Sequence, residues 1–448
     1  MTAMLVMSTA VMAEDHVMAA TRSAQRTQDS VPSVLSLSLK EAQNYAVKQN
    51  RTLRNASLAV QEAYAQRWQT IAAMLPQVDG SYSYSNYLGY TATMSMPTGL
   101  PAPNDTRTID INMPNVGAFG VTASMGINGQ GIVGALLNNV AIKMKKIALE
   151  KSENELRSSV MSAYVSVLAL QSITGLLDSS LVNIQDLEQM TQNAVNVGAA
   201  EQTSADQIRV RVNTLKNNIN AQKRNVELAT NSLKVLLDVP VETELILTEN
   251  MDEVLSPERV LNLLSADFAI ENNLNYQMLQ QQVELAKRNV HMAGWAYGPT
   301  VSLAYNFTDQ HYYGEGGMRM TPPNVIQVSV RMPLWSSGKR AAGVVEKKIA
   351  LEEAKNTLSE TTDNLEIQYR QLCFDLTNAY ETYLNEKDNI DVTRRVFNSA
   401  TEKFKWGATS NLELTNASND LINAQSTYVQ AMLSLIQAQS ELEEFLNK

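Results

Sequence analysis

The sequence predicts a mostly helical fold with a membrane β-barrel segment, in which one unit of helix, strand pair and long helical hairpin occurs twice. Three observations carry this. Two long stretches lack proline, two fixed offsets relate the halves residue by residue, and four segments alternate apolar with polar side chains.

A proline inside a helix removes a backbone hydrogen bond and costs about 3 kcal/mol. Of the twelve prolines, none lies between Pro114 and Pro240 or after Pro333. Each stretch reads as a long outbound helix, a Gly-Ala turn and a returning helix. The first runs from about Gly131 through Gly198 and Ala199 to Asp238, the second from about Gly338 through Gly407 and Ala408 to Lys448. At about 1.5 Å per residue, an outbound helix of roughly 65 residues is about 100 Å long.

Heptads reinforce this reading. Leu351, Leu358, Leu365 and Leu372 repeat every seven residues, beside Tyr369, Leu376, Tyr383, Ile390, Phe397 and Phe404. The first copy offers Leu149, Leu156, Ala163, Leu170, Leu177 and Ile184, flanked by Val160, Val167, Leu181 and Val195. A sustained seven-residue period lets helices supercoil with knobs in holes. On the returning helices, Ala205, Val212, Ile219, Val226 and Leu233 sit 209 positions before Leu414, Leu421, Tyr428, Leu435 and Leu442, and Ala417, Ala424, Ala431 and Ala438 form a small-residue seam.

The segments before the rods also repeat. Leu39 to Leu75 reads as one helix ended by Pro76, and Ala46, Asn50, Val60, Ala63, Pro76, Val78 and Tyr82 return 223 positions later as Ala269, Asn273, Val283, Ala286, Pro299, Val301 and Tyr305. Pro76, Pro299 and Pro333 are the expected helix-strand junctions. The strands alternate with period two: Val78, Gly80, Tyr82 and Tyr84; Val121, Ala123, Met125 and Ile127; Val301, Leu303, Tyr305 and Phe307; Ile326, Val328, Val330 and Met332. Nothing in the sequence remains to cover their apolar faces, so outward apolar and inward polar residues indicate a membrane β-barrel. Four strands cannot close around a pore, which requires several chains per barrel. Between strands lie an external loop from about Asn86 to Asn115 and another from about Asp309 to Asn324.

These features divide the chain into residues 1–36 (export signal and polar segment), 37–238 (first repeat), 239–263 (a linker forming a small belt) and 264–448 (second repeat). The signal is read from the apolar run Met4 to Ala13, which ends in small residues before Glu14 and Asp15. No run of about 18 apolar residues occurs elsewhere, so no membrane-spanning helix is expected.

The formal charge of −10 opposes nucleic-acid binding, which needs clustered Lys and Arg. A single cysteine, Cys373, rules out a disulfide framework and is expected to be a small buried hydrophobe. Met94, Met96, Met113, Met318 and Met320 lack His or Cys partners, so no metal site is expected. Gly129-Gln130-Gly131-Ile132-Val133-Gly134 matches GxGxxG, yet Glu150 and Glu153 lie inside a rod where a dinucleotide fold would need a second strand. The glycines read as a strand-to-helix junction. No cofactor and no enzyme are expected.

Helix, proline, strand pair, long helix, Gly-centred tip and return helix, all twice, resemble the TolC-type outer-membrane efflux proteins over about Leu37 to Lys448. The resemblance implies a homotrimer whose twelve-stranded barrel in outer-membrane lipid continues as a twelve-helix α-barrel across the periplasm. It implies an exit duct that docks a periplasmic adaptor and an inner-membrane pump of the RND, ABC or MFS type. The docking tips map to Val197, Gly198, Ala199, Trp406, Gly407 and Ala408. The periplasmic gate maps to Thr203, Ser204, Phe404, Thr409, Glu413 and Asn416. Family members often carry two acids after the second tip glycine; here Glu413 remains and Asn416 replaces the other. An Arg and a Tyr that help close the mouth in some members correspond to Thr409 and Phe404. Two other readings remain for comparison: a periplasmic coiled-coil adaptor, which leaves the four strands unexplained, and a nicotinamide-dependent enzyme resting on the GxGxxG.

Overall fold

The computed structural model describes residues 34–97, 106–198, 201–254, 257–266, 268–314, 322–406 and 408–447. The expected signal in 1–33, the loop methionines Met318 and Met320, and the tip residues Ala199 and Gly407 lie outside the described residues.

The chain begins with β1 (Val34–Leu37), α1 (Leu39–Gln49), α2 (Arg51–Ala72), β2 (Gln77–Ser85), β3 (Thr91–Pro97), β4 (Thr106–Asn112) and β5 (Asn115–Asn128). The first hairpin is α3 (Gly129–Asn196) and α4 (Gln202–Leu237), followed by β6 (Glu244–Leu247), α5 (Met251–Val254) and α6 (Pro257–Leu264). The second repeat supplies α7 (Leu274–Gly294), β7 (Thr300–Tyr313), β8 (Asn324–Arg331), α8 (Lys339–Lys405) and α9 (Asn411–Leu446). These elements form two compact units, one comprising Met1–Ala56, Leu149–Leu274 and Thr362–Lys448, the other Ser57–Ala148 and Asn275–Thr361. Both repeats contribute to both units.

The first unit is a helical core. In α8 the row Leu376, Tyr383 and Ile390 is buried, and on the return helices Ala205, Val212, Ile219, Leu233, Leu414, Leu421, Leu435 and Leu442 are buried with Ala417, Ala431 and Ala438. In α3 the innermost row is Val160 and Val167, whereas Leu149, Leu156, Ala163, Leu170, Leu177 and Ile184 are half-buried. One stretch of α3 is long and apolar enough to cross a membrane by length and composition, contrary to the sequence expectation. Its region contributes Val160, Tyr164, Val167 and Leu168 to this core. Cys373 is half-buried at the core's margin, not fully enclosed as expected.

Asparagine breaks the helix predicted from Leu39 to Leu75. At Asn50 the backbone is extended (φ −60°, ψ 127°). Its Oδ1 accepts from the backbone N–H groups of Thr52 (2.8 Å) and Leu53 (3.3 Å), which starts α2 as an N-cap does. Its Nδ2 donates to the Leu236 carbonyl at 2.9 Å. The second repeat reproduces the last contact: Asn273 Nδ2 donates to the Phe445 carbonyl at 3.1 Å. Both return helices end in left-handed residues, Asp238 and Asn447, each with φ 55°.

Upstream, Ser38 and Glu41 form a capping box at α1. The Ser38 backbone N–H bonded to Glu41 holds that carboxyl below its usual range. The polar segment expected up to Ser36 gives way earlier to β1, which pairs in parallel with β6, Val34 opposite Glu244 through Leu37 opposite Leu247. Tyr164 Oη donates to the Leu37 carbonyl at 3.1 Å, and burial pushes its hydroxyl up to about 12.

The second unit holds a four-stranded antiparallel sheet in the order β2-β5-β7-β8. The loop expected between Asn86 and Asn115 instead contains the β3–β4 hairpin, Thr91 opposite Asn112 through Pro97 opposite Thr106. Thr93 donates to Asp110 across it at 2.9 Å. At the β5–α3 junction an ideal Cβ on Gly129 would lie 2.1 Å from the Trp295 ring, and one on Gly131 would lie 3.0 Å from Met74 Sδ. Close packing therefore accounts for two of the three GxGxxG glycines.

Candidate functional site

Register gives the sheet two chemically distinct faces, because directly paired residues in antiparallel strands project to the same side. One row is Val78, Ala123, Tyr305 and Ile326; others are Met125, Leu303 and Val328, and Ile127, Val301 and Val330. The alternate rows are Ser124, Ala304 and Gln327, and Gly126, Ser302 and Ser329. On this polar side Thr122 Oγ1 meets Asn306 Oδ1 at 3.0 Å. Val78, Tyr82, Ile326, Val328 and Val330 are exposed, so among the described residues the apolar face lacks a protein cover here. At about 3.3 Å per residue, the fourteen residues of β7 are long enough to cross a tilted bilayer path.

Aromatic residues mark both ends of the sheet. Tyr84 and Tyr313 meet edge-on with centroids 5.8 Å apart at the β2–β5 turn end, and Trp295 and Tyr297 precede β7 at the other. Such belts sit at headgroup level because their rings are amphipathic. Pro76 precedes β2, Pro299 precedes β7 and Pro333 follows β8.

The hairpin tips belong to the first unit. At the first, α3 ends as Val197 N–H donates to Asn193 O at 3.3 Å and Gly198 N–H to Val195 O at 2.9 Å. Gly198 takes the left-handed φ of 76° that glycine accommodates without strain. Val197 is 79% exposed. Chain direction then reverses into α4, whose cap residue Glu201 makes no side-chain cap bond. Thr203, exposed, donates to Glu201 Oε2 at 3.1 Å, and half-buried Ser204 N–H donates to Glu201 O at 3.0 Å.

The second tip is better tied. Ala408 N–H donates to Lys403 O at 2.8 Å, and Trp406 stands 84% exposed. Ser410 caps α9, its hydroxyl accepting from Glu413 N–H at 3.2 Å, while Thr409 Oγ1 donates to the Glu413 carboxylate. An acid in the first turn also meets the positive end of the helix dipole. A cavity of about 510 Å³ is lined by Glu413, Asn416, Arg395, Lys403 and Asp420, so these two expected gate positions face a mixed-charge pocket.

Phe404 is placed differently from Thr409 and Glu413. It is half-buried and packs with Leu187 and Phe397 against Ala400, Leu414 and Ala417. It lines a cavity of about 390 Å³ with Ile208, Arg211 and Glu402. Sequence reasoning assigned no role to Ser410, although Ser410-x-x-Glu413 is the spacing of a capping box. Nor did it assign one to Asn50 and Asn273, although both recur at the offset of 223.

Among the described residues, no group of three or more His, Cys, Asp or Glu side chains is placed to hold a metal ion.

The chain matches the outer membrane efflux protein family over residues 43–238 and 266–448. It belongs to that family. The probable efflux pump outer membrane protein TtgC of Pseudomonas putida is 23% identical over 412 residues, covering 89% of this chain and 80% of the relative. The cation efflux system protein CusC of Escherichia coli K12 is 23% identical over 404 residues, covering 85% and 80%. Among solved structures, the outer membrane protein VceC of Vibrio cholerae superposes with a TM-score of 0.71 at 14% identity, covering 91% of this chain and 95% of that one. The efflux protein described here is thus an outer-membrane exit duct, with the helical and β-barrel fold of these channels. The family assigns the chain to transport rather than to enzymes, and it selects the duct over a coiled-coil adaptor. Outer membrane efflux proteins work together with partner proteins of the cell envelope.

Proposed function

We propose that three copies of the chain form the duct, each giving four strands to a twelve-stranded barrel and four long helices to a twelve-helix tunnel. The observation that carries this is the open four-stranded sheet: over the rows from Val78 to Val330 its faces are sorted into apolar and polar, while β2 and β8 remain as edges. Edge strands leave unpaired backbone groups, which only closure removes in lipid. Exposed apolar heptad pairs in the first unit, Leu228 with Val235 and Ile367 with Phe374, offer packing to a neighbouring copy.

In this reading the tips around Val197, Gly198, Ala199, Trp406, Gly407 and Ala408 dock a periplasmic adaptor, which couples the duct to an inner-membrane pump of the RND, ABC or MFS type. Thr203, Ser204, Phe404, Thr409, Glu413 and Asn416 border the periplasmic mouth, and the mouth opens when the partners bind the open state better than the closed one. Residues 1–36 hold the export signal and the segment that leads into the repeats at 37–238 and 264–448, with 239–263 between them. The cargo is set by the pump, consistent with relatives named for antibiotics, toluene and cations.

Purified protein in planar bilayers tests the reading. Discrete conductance steps, with a detergent-corrected mass of three chains, are expected. A monomeric particle without conductance would refute it.

A further inference from the structure

The two repeats join strand to helix in different ways. In the first, β5 ends at Asn128 and α3 starts at Gly129. In the second, the seven residues Met332 to Gly338 separate β8 from α8. Ile326, Val328 and Val330 form the exposed apolar row of β8, and just past the strand Met332 is exposed too, with Leu334 at 87% and Trp335 at 86%. Exposed apolar side chains therefore continue from the strand into this linker.

The linker is braced. The Arg340 guanidinium donates to Pro333 O at 2.6 Å and to Ser336 Oγ at 2.9 Å, and lies 5.0 Å from the Tyr297 ring centroid. Ser337 and Gly338 both adopt left-handed backbone, with φ of 47° and 81°. A non-glycine residue holds that conformation where its surroundings fix it. Leu334 and Trp335 are thus presented by a set geometry.

Charge changes sign at the same place. Residues 331–350 carry five basic side chains and a single acid in a chain of net charge −10. That acid, Glu346, meets Lys347 at 2.7 Å in an exposed pair, a contact weak enough for a phosphate to compete for the lysine, and the stretch keeps a net positive charge. Lys347 and Lys348 follow Arg340 by seven and eight residues, which places them on one helical stripe. Tryptophan prefers the membrane-water interface, and basic residues next to it attract anionic headgroups.

We propose that Leu334 and Trp335 seat in the acyl-headgroup boundary of the periplasmic leaflet, and that Lys339, Lys347 and Lys348 bind the phosphates of anionic phospholipids there. The occupant is lipid, because the apolar row is continuous with the lipid-facing strand and the charge beside it is positive. The inference rests on the apolar sheet face meeting lipid.

The test uses the full chain in vesicles of phosphatidylcholine with phosphatidylglycerol, one or the other brominated. The difference in tryptophan emission between the unmodified chain and Trp335→Phe isolates Trp335. Brominated phosphatidylglycerol should quench that component more strongly than brominated phosphatidylcholine, reflecting about fivefold local enrichment. The triple variant K339Q/K347Q/K348Q, or high salt, should bring the two lipids to parity. Equal quenching in the unmodified chain, an unchanged preference in the triple variant, or no quenching by either lipid overturns the proposal; the last outcome means water or a second copy covers Trp335. Heat-modifiable migration confirms that each variant is folded. Conductance separates the two readings, since its retention with no lipid preference sinks this inference and leaves the duct intact.

Discussion

The two hairpins share their packing at the base and differ at the tip. Leu233 and Leu442, 209 residues apart, are both fully buried, and Leu236 and Phe445 each receive an asparagine amide through the backbone carbonyl. At the tips the equivalence lapses. The first has an N-cap without a side-chain bond, whereas the second has Ser410, Thr409 and Glu413 bonded together. Duplication has preserved what the core needs and let the tips diverge, so differences between repeats are a guide to specialised roles.

The strongest test of this symmetry is in the core. Leu233→Ala and Leu442→Ala should each cost about 2–5 kcal/mol, since each leaves a cavity where close packing prevents collapse. Chemical denaturation of the two variants should give losses that agree to within about 1 kcal/mol. A large disparity would show that burial alone does not make the repeats equivalent.

The asparagines should separate the repeats moderately. Asn273 is buried while Asn50 is half-buried. Asn273→Ala leaves the Phe445 carbonyl unpaired in the core and should cost about 2–3 kcal/mol; Asn50→Ser, which can still cap α2 and loses only the half-buried bond to Leu236, should cost about 1 kcal/mol. Equal losses in the same denaturation series would break the comparison.

Tyr164 sharpens it through pH. Its hydroxyl has a folded pKa of about 12 against an ordinary 10, so the folded state holds its proton more tightly. That stability is fully present below about pH 10 and is lost as pH rises towards about 12. Tyr164→Phe should cost about 1 kcal/mol at neutral pH through the lost bond to Leu37. It should also flatten the alkaline fall in stability, which a denaturation series across that range would reveal.

The sequence made the repeats and the sheet legible because period seven and period two are properties of consecutive residues. Val301, Leu303 and Tyr305 announce their shared face without knowledge of a partner strand. Asn50 was opaque for the opposite reason: beside its local cap of α2, the contact that ties it into the core is the Leu236 carbonyl, 186 residues away. The β3–β4 hairpin hid among prolines and threonines, where loop composition outweighs a short alternation. At the candidate site, the exposure of Val197 and Trp406 could be anticipated from glycine turns, but the inward packing of Phe404 could not, since it requires Leu187 and Leu414 to be neighbours.

The smallest expected effect lies at Glu413. Three copies of this carboxylate around a narrow axis would focus negative potential and favour cations, but Thr409 holds the carboxylate and Arg395 and Lys403 line the same cavity. Fixed cations nearby offset part of the field, so the preference should be modest. Glu413→Gln should reduce the cation-to-anion permeability ratio by about twofold, and Glu413→Lys should reverse it, as measured by reversal potentials in a salt gradient. Thr409→Ala frees the carboxylate while keeping its charge, and should leave the sign of selectivity unchanged. If neither Glu413 substitution moves the reversal potential, the residue acts through its helix cap alone, and the asymmetry between the tips is one of stability rather than permeation.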